Sequence, residues 1–278
     1  ISFRERSFAG RSLPLWEGML SYQHIYHAGN LADVQKHALL AWILEYMTRK
    51  DKPLSYLETH AGRALYDLSS AEAVKTGEAA RGIDIARDWF PADHPYARVL
   101  DSVQAAHGPT SYPGSPRIAT EVLRPIDNVH LAELHPQEAQ ALRASMRGSG
   151  AKVHVQDGFE MAQSLAPPEP RRGVLLIDPS YEIKSDYSRI PGIIGKLHRK
   201  WNVGVIVLWY PILTDGPHKR MLTALEAQDL PGTLLHEVRF PPAREGHRMI
   251  GSGLFVVNAP FGLREEMQRL DRRFSALR

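Results

Sequence analysis

The sequence predicts an α/β fold built around a mostly parallel sheet of seven strands. Short apolar runs bounded by Gly, Pro or polar turns recur along the chain, and segments with helical spacing separate most of them. Strands that alternate with helices form βαβ units, in which the strands run parallel and helices cover both faces. The last two runs follow one another without a helix, so we expect one of them to lie antiparallel at the edge.

The first element is a long amphipathic helix at residues 31–50, with Asn30 as its candidate N-cap. An apolar run at residues 54–58 predicts a buried first strand that feeds a glycine turn. Later strands are predicted at residues 128–134, 152–156, 173–178, 203–210, 234–240 and 253–259. Further helices are predicted at residues 116–123, 136–146, 187–200 and 219–228, with Ser115 as the expected cap of the first of these.

Residues 19–278 are predicted to form one domain, which carries a helical insertion at about 66–112 where no good strand is found. Residues 1–18 lack the apolar core of a signal peptide and precede Met19. We interpret them as a poorly ordered tag remnant or upstream extension, and Met19 as the natural start.

Composition narrows the class of protein. A hydrophobic content of 43% and a charged content of 23% are typical of a globular domain. The absence of cysteine excludes disulfides, thiolate metal sites and cysteine nucleophiles, and it suits a cytoplasmic location. No apolar run approaches the roughly 18 residues of a membrane span. We expect a cytoplasmic monomer.

The chain carries a net charge of +3, which is too small to identify a nucleic-acid partner. Basic residues cluster at residues 171–172, 196–200, 219–220 and 264–273. They could be solvated helix faces or contacts to phosphates, and the sequence leaves both readings open.

Three predicted strand ends carry residues that could bind a nucleoside cofactor, because ligands lie beyond the carboxyl ends of parallel strands. Gly62 would allow close backbone approach, although such turns often only reverse the chain. Glu133 could accept hydrogen bonds from ribose hydroxyls, and Asp157 beside Gly158 could bind an adenine amino group. Helix capping is the alternative role for both acids.

The most specific motif is Asp178-Pro179-Ser180-Tyr181, which follows four apolar residues of the fourth predicted strand. The amino nitrogen of adenine is a poor nucleophile because its lone pair is delocalised into the ring. Asp178 and the Pro179 carbonyl could accept its two N–H bonds and expose the lone pair, while Tyr181 stacks on the extruded base. An ordinary β-turn is the alternative.

A further cluster, Tyr22, His24, His27, Lys36 and His37, lies at the start of the first helix. Lys36 could hold the carboxylate of a methionine-derived cofactor. Tyr22 and His24 could stack on a base or simply pack in the core. A metal site of His24, His27, Asp33 and His37 is disfavoured because these residues do not converge readily.

The segments MLSYQHIYHAGNLADVQKH, YLETHAG, YPGSP, AELHP, DGF and LIDPSYE occur in this order from Met19 onward. In this set the chain resembles the RlmJ family of bacterial 23S ribosomal RNA adenine-N6 methyltransferases. The resemblance implies a Rossmann-like class I methyltransferase fold, S-adenosylmethionine as cofactor, and adenine 2030 of 23S rRNA as acceptor, with no metal.

The resemblance also implies roles for individual residues. The proton acceptor falls on Asp178 and the substrate-facing tyrosine on Tyr22. The cofactor contacts fall on Lys36, His37, His60, Ser115, Glu133, Asp157 and Gly158, to which we add Gly62 and Asp178. Substrate contacts are expected from Tyr22, His24 and Tyr181.

Two positions depart from the family pattern. Ser180 replaces the usual second proline of the turn, and Ala64 replaces the usual second glycine after the first strand. They motivate a catalytically silent RNA-binding protein as one alternative. A DNA adenine-N6 methyltransferase is a second, since the same turn serves both acceptors, and a metal-dependent hydrolase is a third.

Overall fold

The computed structural model describes residues 23–277. Its strands are β1 Ser55–Glu58, β2 Leu65–Asp67, β3 Ser111–Pro113, β4 Asn128–Ala132, β5 Lys152–His154, β6 Gly173–Ile177, β7 Val205–Leu213, β8 Leu234–Arg239 and β9 Met249–Val257. Its helices are α1 Leu31–Thr48, α2 Ala71–Thr76, α3 Ile83–Ala86, α4 Pro95–His107, α5 Ser115–Val122, α6 Pro136–Ser145, α7 Gly158–Leu165, α8 Asp186–Lys200, α9 His218–Glu226 and α10 Leu263–Ser275. The predictions for Tyr22, Met19 and residues 1–18 lie outside the described residues.

Seven strands form one sheet in the order β5-β4-β1-β6-β7-β9-β8. The first five in this order run parallel, whereas β9 runs antiparallel to both β7 and β8. The predicted mostly parallel seven-stranded sheet is therefore confirmed. The antiparallel strand lies one position in from the edge rather than at the edge itself, because β9 inserts between β7 and β8.

Helices cover both faces of the sheet, and strand alternation divides the core in two. On β6, Val174 and Leu176 face the core shared with α1, α4, α5 and α10, whereas Leu175 and Ile177 face the core shared with α7, α8 and α9. Successive side chains of a strand point to opposite faces, so an uninterrupted apolar run is what a doubly covered strand requires.

The long helix α1 begins at the predicted cap, since the Asn30 side chain accepts a hydrogen bond from the Asp33 N–H at 2.9 Å. Gln35 bonds to His236 on β8 at 2.9 Å and accepts from Ser252 on β9. These buried contacts hold the start of α1 against the sheet. They therefore also fix the position of Lys36, the residue that follows Gln35.

The span predicted as a helical insertion holds α2, α3 and α4, but it also holds strands at its ends. β2 pairs antiparallel with β3, with Leu65 opposite Pro113 and Asp67 opposite Ser111. The expectation that this span contains no strand is therefore wrong. The two runs were too short to be recognised before their partners were known.

Two further differences concern elements near the site and at the carboxyl end of the chain. Helices α7 and α10 were not predicted, although Leu263, Met267, Leu270 and Phe274 on α10 are buried at helical spacing. Strand β7 extends to Leu213, past Leu208, which pairs with the last residue of β6. Among the described helices, none is long and apolar enough to cross a membrane.

Candidate active site

A cleft of about 920 Å³ opens at the carboxyl ends of the parallel strands. This is the edge at which parallel sheets bind ligands. Every residue predicted for the site and lying within residues 23–277 lines it, namely His24, Lys36, His37, His60, Gly62, Ser115, Glu133, Asp157, Gly158, Asp178, Pro179 and Tyr181. The sheet thus brings together residues that are far apart in sequence, while Tyr22 lies outside the described part.

The turn at Asp178 leaves β6 directly after Ile177 and enters the cleft. Tyr181 adopts a left-handed backbone with φ of 58°, a conformation that costs a non-glycine residue about 1 kcal/mol or more. Its hydroxyl donates to the Trp209 carbonyl at 2.8 Å, and its ring packs 4.5 Å from that of Tyr187. These contacts hold the turn in its strained form.

Lys36 lies between two carboxylates. Its Nζ is 2.7 Å from Asp178 Oδ2 and 3.1 Å from Asp33 Oδ1, and its side chain is only 6% exposed. Burial works against the charge, but Asp178 and Asp33 raise the pKa of the Lys36 ammonium above its usual range. An ammonium has three N–H bonds, so one remains for a ligand after both carboxylates are satisfied.

Asp33 gathers further groups at the base of the cleft. It accepts from the Gly29 N–H at 3.0 Å and contacts His24 Nε2 at 2.8 Å. Burial opposes its ionisation, but His24 and Lys36 hold the pKa of Asp33 well below its usual range. Sequence reasoning considered Asp33 only as a metal ligand. Within residues 23–277 no group of three or more His, Asp or Glu side chains is arranged to hold a metal ion.

Two histidines in the cleft are kept neutral. Burial lowers the pKa of His37 to about 3, and its Nδ1 lies 2.9 Å from the Tyr112 hydroxyl. Burial also lowers the pKa of His60 to about 4, and its Nδ1 lies 2.7 Å from Thr59 Oγ1. Both rings are therefore uncharged hydrogen-bonding groups at neutral pH.

Glu133 and Asp157 stand at neighbouring strand ends. Glu133 accepts from the Gly62 N–H at 2.8 Å and from the His135 N–H at 2.7 Å, and burial raises its pKa. Asp157 caps α7 by accepting from the Glu160 N–H at 3.0 Å, which is the alternative role that the sequence left open. Each carboxylate oxygen can accept two hydrogen bonds, so both acids retain capacity for a ligand.

Gly158 marks a close backbone approach between the start of α7 and the end of β1. A Cβ at this position would lie 1.8 Å from the Thr59 carbonyl oxygen. Only glycine fits this contact, so the start of α7 packs directly against the end of β1. This packing places Asp157 and Gly158 beside His60 in the lining of the cleft.

Ser115 is the first residue of α5 and not its cap, so the capping prediction is wrong. Its hydroxyl donates to Glu58, which also accepts from the Tyr56 hydroxyl at 2.9 Å. Glu58 is fully buried, and burial raises its pKa to about 8. Sequence reasoning missed Glu58, although an acid ending an apolar strand was a usable signal.

The two departures from the family pattern differ in consequence. Ala64 takes φ of 67°, a conformation suited to the glycine it replaces, and it is fully buried. Its backbone therefore keeps the glycine-like path despite the added methyl group. Ser180, by contrast, is exposed and lines the cleft.

Trp209 is the clearest residue that sequence reasoning missed. It lines the cleft from β7, and Lys36 Nζ lies 5.4 Å from the centre of its ring. The strand was predicted to end at residue 210, whereas β7 continues to Leu213, and the alternation that places Trp209, Pro211 and Leu213 on the cleft side depends on that extension.

The comparisons with known proteins agree with one another. A family model described as Ribosomal RNA large subunit methyltransferase D, RlmJ, matches residues 51–274. Ribosomal RNA large subunit methyltransferase J of Escherichia coli K12 is 40% identical over 258 residues, which cover 91% of each chain. The protein of the same name from Haemophilus influenzae is 37% identical over 259 residues, which cover 91% of this chain and 92% of that one.

A solved structure is also similar. Protein LPL1258 from Legionella pneumophila is 33% identical and superposes with a TM-score of 0.81, covering 90% of this chain and 94% of its own. The likeness therefore extends over most of the fold.

Proposed function

The chain belongs to the RlmJ family of ribosomal RNA large subunit methyltransferases, and we propose that it methylates the N6 amino group of an adenine in 23S rRNA, at adenine 2030. It is an S-adenosylmethionine-dependent ribosomal RNA methyltransferase. The observation that carries the finer proposal is the position of Asp178 and Pro179 at the end of β6, facing the cleft beside Lys36.

The residues of the cleft suit S-adenosylmethionine, which supplies an electrophilic methyl group on a sulfonium when bound. Glu133 would accept from the ribose hydroxyls, and Asp157 with Gly158 would bind the adenine where the start of α7 lines the cleft. Lys36 would offer its remaining N–H to the methionine carboxylate. Family resemblance assigns further contacts to His37, His60, Gly62 and Ser115, all of which line the same cleft.

The catalytic turn would prepare the acceptor nitrogen. Asp178 and the Pro179 carbonyl accept its two N–H bonds, which draws the nitrogen out of conjugation and directs its lone pair toward the methyl group. No described residue donates to the Pro179 carbonyl, so this acceptor is available for the amine. The methyl carbon would form its bond to the nitrogen as its bond to the sulfonium sulfur breaks, leaving S-adenosylhomocysteine, and Asp178 would take the proton that the nitrogen loses.

Lys36 serves the same step by pairing with Asp178. Its ammonium holds the carboxylate in one orientation at 2.7 Å and is itself held by Asp33. The catalytic group is thereby pre-organised before the RNA binds, which is the condition for strong electrostatic catalysis. Since ribosomal RNA is the substrate, we propose that the enzyme acts in the cytoplasm.

Methyl transfer to purified nucleic acids tests the proposal. With labelled S-adenosylmethionine, protein-free 23S rRNA should take up one methyl group at N6 of an adenine, and duplex DNA should take up none. Asp178→Asn should lower kcat by about 100-fold or more, because it removes the proton acceptor, and this loss should far exceed any loss of cofactor affinity. Asp101→Asn, an exposed substitution on α4, is the matched control.

Each other outcome assigns a different function. Label on DNA alone would establish the DNA methyltransferase instead. No label on either nucleic acid, with cofactor still bound, would indicate the catalytically silent RNA-binding protein. Label on rRNA at another atom would refute the role given to Asp178 and Pro179.

A further inference from the structure

The strand β7 continues beyond the end of β6 and pairs there with β9 alone. Side chains on this extension point alternately to the two faces of the sheet. Trp209, Pro211 and Leu213 line the cleft, whereas Tyr210 and Ile212 are buried in the core on the other side. Met249 of β9 pairs with Leu213 and lines the cleft as well. Together these four side chains form an apolar wall, which consists of Trp209, Pro211, Leu213 and Met249.

The apolar wall lies across β6 from the cofactor residues at the ends of β1, β4 and β5, whereas Lys36 on α1 lies 5.4 Å from the centre of the Trp209 ring. In the sheet order, β1, β4 and β5 are on one side of β6 and β7 is on the other. Asp178 at the end of β6 therefore stands between those strand-end residues and the wall. A methyl acceptor must approach Asp178 from the side that the donor does not occupy, and the wall borders that side.

Trp209 is close enough to Asp178 for a base on its ring to reach the carboxylate. Lys36 Nζ is 2.7 Å from Asp178 Oδ2 and 5.4 Å from the centre of the Trp209 ring, so the oxygen and the ring centre are at most about 8 Å apart. The Trp209 carbonyl also accepts the Tyr181 hydroxyl at 2.8 Å. The wall and the catalytic turn thus keep a fixed relative position.

The neighbouring aromatic side chain offers less surface to a base. The Tyr181 residue is only 8% exposed, its ring packs against Tyr187, and its hydroxyl is already bonded. It supports the turn from within the core. Trp209 is partly exposed and carries the larger ring.

We propose that the apolar wall is the binding site of the acceptor nucleobase, with the adenine stacked on the Trp209 indole and its amino edge directed at Asp178. The proposal rests on the proposed function, since an N6 acceptor must leave its own stack to reach the cleft. An aromatic ring replaces the lost stacking, and its removal weakens binding by about 10- to 100-fold per base.

The affinities of the wild type and of Trp209 variants for two RNAs test this assignment. An rRNA fragment that the wild-type enzyme methylates is compared with the same fragment carrying an abasic acceptor nucleotide, both with S-adenosylhomocysteine present. Trp209→Leu should weaken binding of the adenine RNA about 10- to 100-fold and of the abasic RNA less than about twofold. Trp209→Phe should fall between, and cofactor affinity should not change. An equal loss for both RNAs would overturn the proposal.

The controls separate stacking from folding. Ile212→Val lies on the same strand but faces the core, and Trp42→Leu removes a partly buried tryptophan of α1 outside the cleft, so neither should distinguish the two RNAs. If Trp209→Leu does not fold, the same comparison is made with Trp209→Phe and Leu213→Ala. If neither variant loses more affinity for the adenine RNA than for the abasic RNA, the apolar wall is not the binding site of the acceptor base. Failure of the wild type to methylate any rRNA would refute the proposed function instead.

Discussion

Replacing Lys36 with methionine should destabilise the protein strongly, because it leaves two carboxylates without their shared partner. The Lys36 ammonium lies 2.7 Å from Asp178 and 3.1 Å from Asp33. At an effective dielectric constant of about 20, each pair contributes about 5 to 6 kcal/mol of Coulomb attraction, most of which offsets the loss of hydration.

Removing one member of such a buried pair typically costs about 3 to 5 kcal/mol, which is a large share of a domain stability of about 5 to 15 kcal/mol. We therefore expect Lys36→Met to lower the free energy of unfolding by about 3 kcal/mol or more. The folded pKa of Lys36 lies above its unfolded value, so its contribution is complete below about pH 10 and is lost only as the pH rises through the folded pKa. The cost should be the same at pH 7 and pH 9.

Urea denaturation of four proteins measures the effect: wild type, Lys36→Met, Asp178→Asn and the double variant. Since Asp33 keeps His24 and the Gly29 N–H as partners, the double variant should lose at least about 2 kcal/mol less than the sum of the single losses. Methyl transfer should be lost in both Lys36 variants. A cost below about 1 kcal/mol for Lys36→Met, or additive losses, would show that Lys36 is not the shared partner.

Two further predictions concern backbone approach and acid stability. Gly158→Ala should lower stability by about 1 to 3 kcal/mol and weaken cofactor binding, because its Cβ would meet the Thr59 carbonyl, whereas Gly192→Ala, with open space in α8, should be neutral or stabilising. Thermal denaturation and cofactor titration check this, and equal melting temperatures for both variants would contradict it. The folded pKa values of about 3 for His37 and about 4 for His60 lie below the unfolded value near 6.5, so their contribution is complete above that pH and falls by about 2 kcal/mol each on going to pH 5. Urea midpoints at pH 7.5 and 5.0 should show a smaller acid loss in His60→Gln than in the wild type, and identical losses would disprove the assignment.

Much of the sheet could be predicted because β1, β6 and β7 are covered on both faces and therefore appear as plain apolar runs. The pair β2 and β3 could not, since three-residue strands have no periodicity of their own and exist only through each other. Helix α10 was not predicted because most of its residues are charged, which obscures the helical spacing of its apolar residues. Arg269 there donates to Glu266 and to the Trp89 carbonyl, so one member of that basic cluster has a structural role.

The site residues at the strand ends could be predicted from the sequence, but the contacts between side chains in the site could not. Asp178 and Lys36 were each found from local sequence, yet their contact joins positions 142 residues apart. Lys36 was assigned to a cofactor carboxylate on charge alone, and that role stays a prediction beside the observed pairing with Asp178 and Asp33. Glu58 and Asp33 were missed as site residues because their importance comes from burial, which sequence spacing does not report.

Strand β9 connects the part of the site around Lys36 with the apolar wall. Ser252 of β9 donates to Gln35, which anchors α1 beside Lys36, and Met249 of the same strand belongs to the apolar wall. The antiparallel insertion of β9 beside β7 therefore positions both the cation that holds Asp178 and the surface proposed for the acceptor base. A substitution that shifts β9 should then impair RNA binding and the alignment of Asp178 together, even when it touches neither the cofactor nor the catalytic turn.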